Sequence, residues 1–262
     1  MSNSNESIGK TFGVVILLCL VCAVIVASAA VGLRPTQAIN KKLDSQTNIL
    51  ASVGLLQAGN VAELYSKHIT ERLVDMETGA FVDQDPANYD YRKMMKDPVG
   101  SIKLDGRDDK AKIKSRAKLV PVYLAYQDGV ESGKITAVVL PIHGYGLWST
   151  MHGFLALDTD GVTIKGLKFY EHGETPGLGG EIQNPKWVAQ FVGKKLTDDQ
   201  GEPSIKVMKP GNADAASTYQ VDGLSGATLT SNGVQHTFDF WAGAKGFAPF
   251  LAKVREGALN NG

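Results

Sequence analysis

The fold is decided by residues 119–170, LVPVYLAYQDGVESGKITAVVLPIHGYGLWSTMHGFLALDTDGVTIKGLKFY. This stretch contains four runs rich in β-branched and aromatic residues, which are typical of strands. The runs are residues 119–126, 135–142, 153–158 and 162–170. Turn signals separate them, with Asp128-Gly129 after the first run and Asp160-Gly161 before the last. Because such short connections join strands that run in opposite directions, the four runs predict an antiparallel sheet.

Helices are predicted on the C-terminal side of these strands. Asn184 followed by Pro185 is typical of a helix N-cap with proline in the first turn. The apolar stripe of that helix consists of Trp187, Val188, Phe191 and Val192. Two further helices are predicted to begin near Thr230 or Ser231 and near Phe247. The predicted fold class is therefore α+β, an antiparallel sheet with packed helices.

The N-terminal region contains one long apolar stretch. Residues 12–33 carry no charge, and about 22 residues at roughly 1.5 Å each would span about 33 Å, enough to cross a hydrocarbon core of about 30 Å. A cleaved signal peptide is the competing interpretation, because Lys10 supplies a basic front and Ala27-Ser28-Ala29 resembles a cleavage site. The apolar residues continue past that site to Leu33, which favours one retained transmembrane helix in front of the α+β domain.

The region between the apolar stretch and the strands is predicted to be helical at first and then extended. Apolar residues recur at loosely helical spacing from Ile39 to Leu56, and Asn60 with Glu63 predicts the start of a second helix. That helix would carry Val61, Leu64, Ile69 and Leu73. Residues 79–118 are polar and contain several turn signals, which predicts an extended surface segment. The predicted divisions are a tail (1–11), a transmembrane helix (12–33), a helical neck (34–78) and a globular domain (79–262).

The charge composition gives no reason to expect nucleic acid as a ligand, because 27 basic residues are balanced by 27 acidic ones. The two cysteines, Cys19 and Cys22, lie three positions apart on one face of the predicted transmembrane helix. One interpretation makes them metal ligands shared with a partner subunit. The favoured interpretation treats them as small apolar residues in lipid or in a helix interface.

A second informative segment is DGLSGAT, residues 222–228. It lies between a turn signal at Asp222-Gly223 and the predicted helix start, so its hydroxyls and backbone donors lie near the positive end of a helix dipole, where a phosphate group is stabilised. Gly226 and Ala227 leave the backbone accessible. A turn rich in Ser and Thr followed by an N-cap is the simpler interpretation of the same residues.

Residues 222–234, DGLSGATLTSNGV, resemble the covalent FMN-binding subunit of the bacterial sodium-translocating NADH:quinone oxidoreductases. The similarity covers nearly the whole chain. It includes the single N-terminal apolar stretch, residues 144–148 (GYGLW) and residues 174–180 (ETPGLGG), in the same order as in that family. The resemblance implies a globular domain that binds FMN and a membrane anchor.

The resemblance also implies a covalent flavin. A flavin transferase that uses a divalent metal would take FMN from FAD and link it through a phosphoester bond to Thr228. Asp222, Ser225, Gly226 and Ala227 would form the rest of the recognised segment. Thr228 is then an attachment point, and no catalytic residue or metal ligand is expected in this chain.

Two other segments are expected to contact the flavin ring. The glycine-rich residues 175–180 would let the backbone approach a flat ring closely, which makes Thr175, Gly177 and Leu178 candidates. Leu147 and Trp148 are the candidates from the other segment, with Trp148 either stacked on the ring or buried in the core. Three histidines lie near these loops, but their spacing matches no metal-ligand pattern: His143, His152 and His172.

Function and location follow from the resemblance as expectations. The bound FMN would relay electrons between subunits of a sodium pump in the bacterial inner membrane, with the NADH and quinone sites on other subunits, since this chain has no G-x-G-x-x-G motif and one apolar span. Family membership implies that the domain faces the periplasm and the tail the cytoplasm, whereas the basic residues Arg34, Lys41 and Lys42 alone would keep the domain inside. The expected partners are those subunits, the transferase and the membrane, with no nucleic acid.

Two alternatives remain. One is the flavoprotein subunit of the related Rnf ferredoxin-oxidising complex, and the other is a membrane-anchored binding or scaffold protein without flavin. The residues from Thr228 to Val234 and the segment around Trp148 favour the sodium pump.

Overall fold

A computed structural model describes residues 8–260 of the chain. Contacts divide these residues into two compact units, with the division between Ser45 and Gln46. The described part of the first unit is helical. It belongs to helix α1, Ile8–Ser52, which has Pro35 in its interior.

Helix α1 includes the apolar residues 12–33, whose side chains are exposed. By length and composition α1 is a candidate membrane span. A signal sequence near an N-terminus would pass the same test of length and composition. Residues 1–7 of the predicted tail lie outside the described residues.

The second unit contains a six-stranded sheet and two small two-stranded sheets among the described residues. Its strands are β1 (Ile69–Asp75), β2 (Phe81–Val82), β3 (Ser101–Lys103), β4 (Ser115–Ala117), β5 (Leu119–Ala125), β6 (Ala137–Tyr145), β7 (Thr150–Leu157), β8 (Ile164–Glu171), β9 (Lys206–Met208) and β10 (Gln220–Asp222). The helices after α1 are α2 (Val61–His68), α3 (Tyr91–Met94), α4 (Pro185–Val188), α5 (Thr228–Ala242) and α6 (Ala248–Arg255). Short 3-10 turns cover Pro86–Asn88, Val130–Ser132, Gly179–Gln183, Ala189–Phe191 and Ala258–Asn260.

The large sheet has the strand order β2-β1-β5-β6-β7-β8, and every neighbouring pair is antiparallel. Its last four strands are the four runs predicted from the sequence, with boundaries that differ by one to three residues. The α+β class with an antiparallel sheet, packed helices and one long apolar N-terminal helix is confirmed.

The two faces of the large sheet pack against different elements. One face carries the larger core, in which Val234 and Phe238 from α5 and Leu251 from α6 are buried. The other face carries a smaller core, in which Ile49 and Leu50 from the last turns of α1 pack with sheet residues. Both faces are therefore covered by helical residues, and side chains alternate between them along each strand.

The region before the four strands differs from the sequence prediction. The second predicted helix ends at His68, and Ile69 and Leu73 lie in strand β1, paired with β5. Pairing with a central strand outweighs the helical spacing of those apolar residues, which was a weak signal over one turn. Residues 79–118 are also more than an extended surface, since they contain β2, α3, β3 and β4 and bury Leu104 and Ile113. The division of the chain at residue 79 stays a prediction.

The helices after the sheet follow the sequence signals closely. The side chain of Asn184 accepts a hydrogen bond from the Lys186 backbone N–H, as an N-cap does, and Trp187 is buried. Val192, predicted to be buried in the same helix, is exposed because the helical residues end at Phe191. Helix α5 begins at Thr228, two residues before Thr230.

Candidate functional site

Three segments that the sequence singled out meet around one carboxylate. Glu174 follows strand β8, and one of its oxygens accepts hydrogen bonds from the backbone N–H groups of Leu147 (3.1 Å) and Trp148 (2.9 Å) in the turn between β6 and β7. The other oxygen accepts a hydrogen bond from the hydroxyl of Thr230 in the first turns of α5 (2.6 Å). The β6–β7 turn, the loop after β8 and the start of α5 therefore form one site.

Two glycines allow this close packing. A Cβ atom at Gly146 would lie 2.6 Å from Oε1 of Glu174, and one at Gly179 would lie 2.5 Å from Oγ1 of Thr230. Both distances are shorter than carbon and oxygen atoms tolerate without a bond. Glycine is therefore required at these two positions by the approach of the carboxylate and the hydroxyl.

Glu174 is buried, with 4% of its surface exposed. Burial by itself disfavours the charged form, but hydrogen bonds from Thr230, Trp148, Leu147 and Ser149 hold the pKa of this carboxyl below its usual value. Glu174 is consequently ionised at neutral pH. The sequence prediction missed Glu174 although it begins the ETPGLGG segment, because nothing local shows that residues 147, 174 and 230 lie together.

Large apolar side chains from the same three segments are exposed: Leu147, Trp148, Leu178 and Leu229. Trp148 is the most exposed of them, at 64%, so it is not a core tryptophan. Leu178 lies against the segment that precedes α5, since a Cβ atom at Gly226 would be 3.3 Å from Cδ2 of Leu178. Leu229 was not predicted as a site residue, although it directly follows Thr228. Exposed apolar groups on converging loops are typical of a ligand-binding or protein-binding surface.

Thr228 is the first residue of α5, and its side chain is exposed. The N-cap is Ala227, whose methyl group cannot accept a hydrogen bond. The preceding loop is fixed instead by Ser231, whose hydroxyl accepts a hydrogen bond from the backbone N–H of Leu224 (2.9 Å). The start of α5 therefore presents a hydroxyl and a positive helix end at the surface, a suitable environment for a phosphate group.

Thr230 has a different role from the helix cap that its sequence position suggested. It lies inside α5, is 1% exposed, and uses its hydroxyl on Glu174. The prediction of a cap at this position is wrong because α5 starts two residues sooner, which places Thr230 in the first turn.

The other residues of the 222–228 segment have separate environments. Asp222 ends β10, its carboxylate accepts from the backbone N–H of Ala213 (3.0 Å), and its carbonyl accepts from the indole N–H of Trp187 (2.7 Å). Ser225 and Gly226 are exposed, and Ala227 is buried. Asp222 therefore holds the start of the segment, and the exposed residues that follow it are accessible.

The glycine-rich loop is built around the carbonyl of Thr175, which accepts from the backbone N–H groups of Leu178 (3.1 Å) and Gly180 (2.9 Å). Gly177 has φ +75°, a conformation that favours glycine, and a Cβ atom there would lie more than 4 Å from every described neighbour. Backbone conformation accounts for Gly177, whereas close approach accounts for Gly179.

The three histidines occupy different places. His143 is buried and stacks on His152 with ring centroids 5.4 Å apart, while His172 accepts through Nδ1 from the backbone N–H of Glu174 (3.1 Å). Burial, together with the neighbouring His152 and Arg92, lowers the pKa of His143 to about 3, so its ring is neutral. Within residues 8–260, no group of three or more His, Cys, Asp or Glu side chains is placed to hold a metal ion.

Comparison with known proteins defines the class first. A family described as FMN-binding domain matches residues 146–242, which include the β6–β7 turn, the loop after β8 and the start of α5. The chain thus carries an FMN-binding domain. This match counts against the scaffold alternative without flavin.

Full-length relatives then define the family. A crystal structure of NqrC from Shewanella oneidensis matches with a TM-score of 0.76 at 33% identity, over 83% of this chain and 99% of that chain. The chain is 58% identical to the NqrC protein of the Na(+)-translocating NADH-quinone reductase of Vibrio anguillarum over 99% of this chain and 100% of the relative. It is 54% identical to the corresponding protein from Yersinia pestis over 99% of this chain and 97% of the relative. The chain belongs to the NqrC family of the sodium-translocating NADH:quinone oxidoreductases.

Membership has direct consequences. The chain is one subunit of an oxidoreductase complex, so its partners include the other subunits, and the apolar helix α1 is the candidate span that anchors it in the membrane. The family resemblance inferred from the sequence is confirmed, and the sodium pump is favoured over the Rnf alternative.

Proposed function

We propose that this subunit relays electrons through FMN attached by a phosphoester bond to Thr228. The observation that carries the proposal is the placement of Thr228: an exposed hydroxyl on the first residue of α5, in the site where Leu147, Trp148 and Leu178 are exposed. The segment that precedes it matches the attachment motif of the family.

The residues of the site fit both ends of FMN. The phosphate end is served by the N-terminal turn of α5, whose first backbone N–H groups point toward the exposed hydroxyl of Thr228. The ring end is flat and largely apolar, and exposed Trp148, Leu147 and Leu178 offer surfaces of that kind. Thr175 and Gly177 belong to the same exposed loop and complete the proposed ring site.

Bound FMN supplies the ability to accept and release electrons. The protein residues position the cofactor: Thr228 holds it covalently, and the β6–β7 turn and the loop after β8 form its surroundings. Since no side chain here has to act as an acid, base or nucleophile in turnover, the NADH and quinone sites are assigned to other subunits of the complex.

Attachment requires a second enzyme to reach Thr228. We infer that a flavin transferase recognises the segment from Asp222 to Thr228, because Ser225 and Gly226 are exposed and Gly226 has the φ of +72° that glycine adopts readily. The transfer converts FAD and the Thr228 hydroxyl into the phosphoester and AMP. We assign the domain to the periplasmic side of the inner membrane, on the family resemblance.

Substitution of the attachment residue tests the proposal. Thr228→Ala removes the side-chain oxygen and should abolish covalent FMN while leaving the domain folded, because an exposed hydroxyl contributes only about 1 kcal/mol or less to stability. Thr228→Ser should retain part of the modification. Thr78→Ala, at another exposed threonine, is the matched control and should be fully modified.

In-gel flavin fluorescence after denaturation, in cells that produce the transferase, reports the outcome. Fluorescence lost in Thr228→Ala and kept in Thr78→Ala supports the assignment. Fluorescence retained in Thr228→Ala would contradict it.

A further inference from the structure

Glu174 joins the two parts of the site, and electron relay through the flavin assigns it no role. Its carboxylate receives hydrogen bonds from the backbone of the β6–β7 turn and from the side chain of Thr230 on α5. A weaker contact of 3.3 Å comes from the backbone N–H of Ser149. One carboxylate therefore fixes three consecutive residues of the turn relative to the helix that begins with Thr228.

We propose that Glu174 is a positioning residue of the flavin site: it holds Leu147 and Trp148 in a fixed arrangement relative to the attachment residue Thr228. This proposal rests on the proposed function. Glu174 acts through the backbone of the turn, and its burial keeps it out of contact with a ligand on the surface of the site.

The donors around Glu174 explain why a carboxylate is needed. Backbone N–H groups and a hydroxyl converge on its two oxygens, and an ionised carboxylate has about four acceptor positions to meet them. A glutamine has one acceptor oxygen, and its NH2 group would face N–H donors. Gly146 and Gly179 are packed against the carboxylate and the Thr230 hydroxyl, which leaves a replacement little space to adjust.

A purely structural role is the competing explanation, and it predicts a different result. If Glu174 only stabilised the fold, its loss would lower the melting temperature and leave the flavin environment unchanged. If it positions Leu147 and Trp148, its loss would change how the ring is packed. Flavin emission is quenched when the ring stacks on tryptophan, so emission from the folded protein reports that packing.

The experiment uses the full chain, produced with the transferase and purified with its flavin, as the unmutated protein and as Glu174→Gln. The matched control is Glu181→Gln, a carboxylate in the following 3-10 turn that accepts from the side chain of its neighbour Asn184. Attachment is measured by intact mass, and ring packing by emission of the folded protein and by the flavin reduction potential. Amide hydrogen exchange of residues 147–149 measures the turn itself.

The expected result is that Glu174→Gln keeps the covalent flavin, because Thr228 and its loop are held by other contacts, while emission rises several-fold and exchange of residues 147–149 becomes faster. Glu181→Gln should match the unmutated protein. Unchanged emission, potential and exchange in Glu174→Gln, with only a lower melting temperature, would overturn the positioning role.

Thr230→Val keeps the proposal testable if Glu174→Gln does not fold, since it removes one donor and leaves the carboxylate in place. Emission should rise, by less than in Glu174→Gln, and the double variant should show no more than the Glu174→Gln effect. Unchanged emission in a folded Thr230→Val would count against the proposal. An unmutated chain without attached flavin would overturn the proposed function itself, and that outcome is read from the mass alone.

Discussion

Thr228 and Thr230 lie two positions apart in the first turn of α5, yet their surroundings are opposite. Thr228 is exposed, whereas Thr230 is 1% exposed and its hydroxyl is bound to a buried carboxylate. Two residues of an α-helix are about 200° apart around its axis, so a single turn presents one hydroxyl to solvent and one to the core. The same helix start thus serves an external enzyme and an internal support.

This contrast extends to the whole site. The groups proposed to meet the flavin are exposed, and the groups that hold them are buried and hydrogen-bonded. An attachment residue must be reachable by a transferase, while the surfaces around the ring must be fixed. The structure meets both needs by assigning them to neighbouring residues, so substitutions should affect stability or flavin binding according to which group they remove.

The two glycines of the loop after β8 should differ most in stability. Gly179→Ala would place a methyl group 2.5 Å from Oγ1 of Thr230 and 2.9 Å from Oε2 of Glu174, and we expect it to cost about 3 kcal/mol in the free energy of unfolding. Gly177→Ala meets no described neighbour within 4 Å and should cost about 1 kcal/mol for its positive φ. Denaturant unfolding of both variants measures the difference, and equal costs would contradict the close packing at Gly179.

The two threonines should separate in the same way with a smaller effect. Thr230→Val deprives the Glu174 carboxylate of its hydroxyl donor, and we expect a loss of about 2 kcal/mol. Thr228→Val leaves an exposed site and should change stability by less than about 0.5 kcal/mol while preventing flavin attachment. Unfolding measured without flavin compares the two variants on the same basis, and a larger loss at Thr228 would reverse the comparison.

The buried support should also respond to pH through His143. Its pKa is lowered to about 3 in the folded protein from an ordinary value of 6.5, chiefly by burial, with His152 and Arg92 adding repulsion. Between these values the unfolded chain binds a proton that the folded chain does not, so stability falls as pH falls from 6.5 toward 3. Each pH unit in this window changes the free energy of unfolding by up to about 1.4 kcal/mol. His143→Phe should flatten this dependence, as followed by unfolding at several pH values, and an unaltered slope would show that other groups cause it.

Trp148 should have the smallest effect on stability. Because its side chain is 64% exposed, Trp148→Ala should change the free energy of unfolding by less than about 0.5 kcal/mol. The matched control is Trp241→Ala, at a buried tryptophan of α5, which should cost about 3–5 kcal/mol. Flavin emission should nevertheless rise in Trp148→Ala. A large loss of stability, or emission equal to that of the unmutated protein, would remove Trp148 from the ring site.

Local signals predicted the parts of the fold that depend on local sequence. The four strands have turn signals between them, and Asn184-Pro185 starts a helix where expected. Ile69 and Leu73 were misassigned because two apolar residues four positions apart fit one helical turn, and the pairing with β5 that makes them a strand is not visible locally.

The same limit applies to the site. Leu147, Trp148, Leu178 and Thr228 belong to recognisable motifs, so the sequence could propose them. The sequence could not show that Glu174 connects two of those motifs, since its partners are 27 and 56 positions away. Nor could it distinguish Thr228 from Thr230 by burial, because that distinction depends on the residue at which α5 begins.

The central claim is that Thr228 carries FMN. Peptide mass mapping of the unmutated full-length chain, purified from cells that produce the flavin transferase, tests it most directly. The account predicts one added FMN on the peptide that contains residues 222–230, with fragment ions placing it on Thr228. An unmodified chain, or an added mass that maps to Ser225 or Thr230, would contradict it.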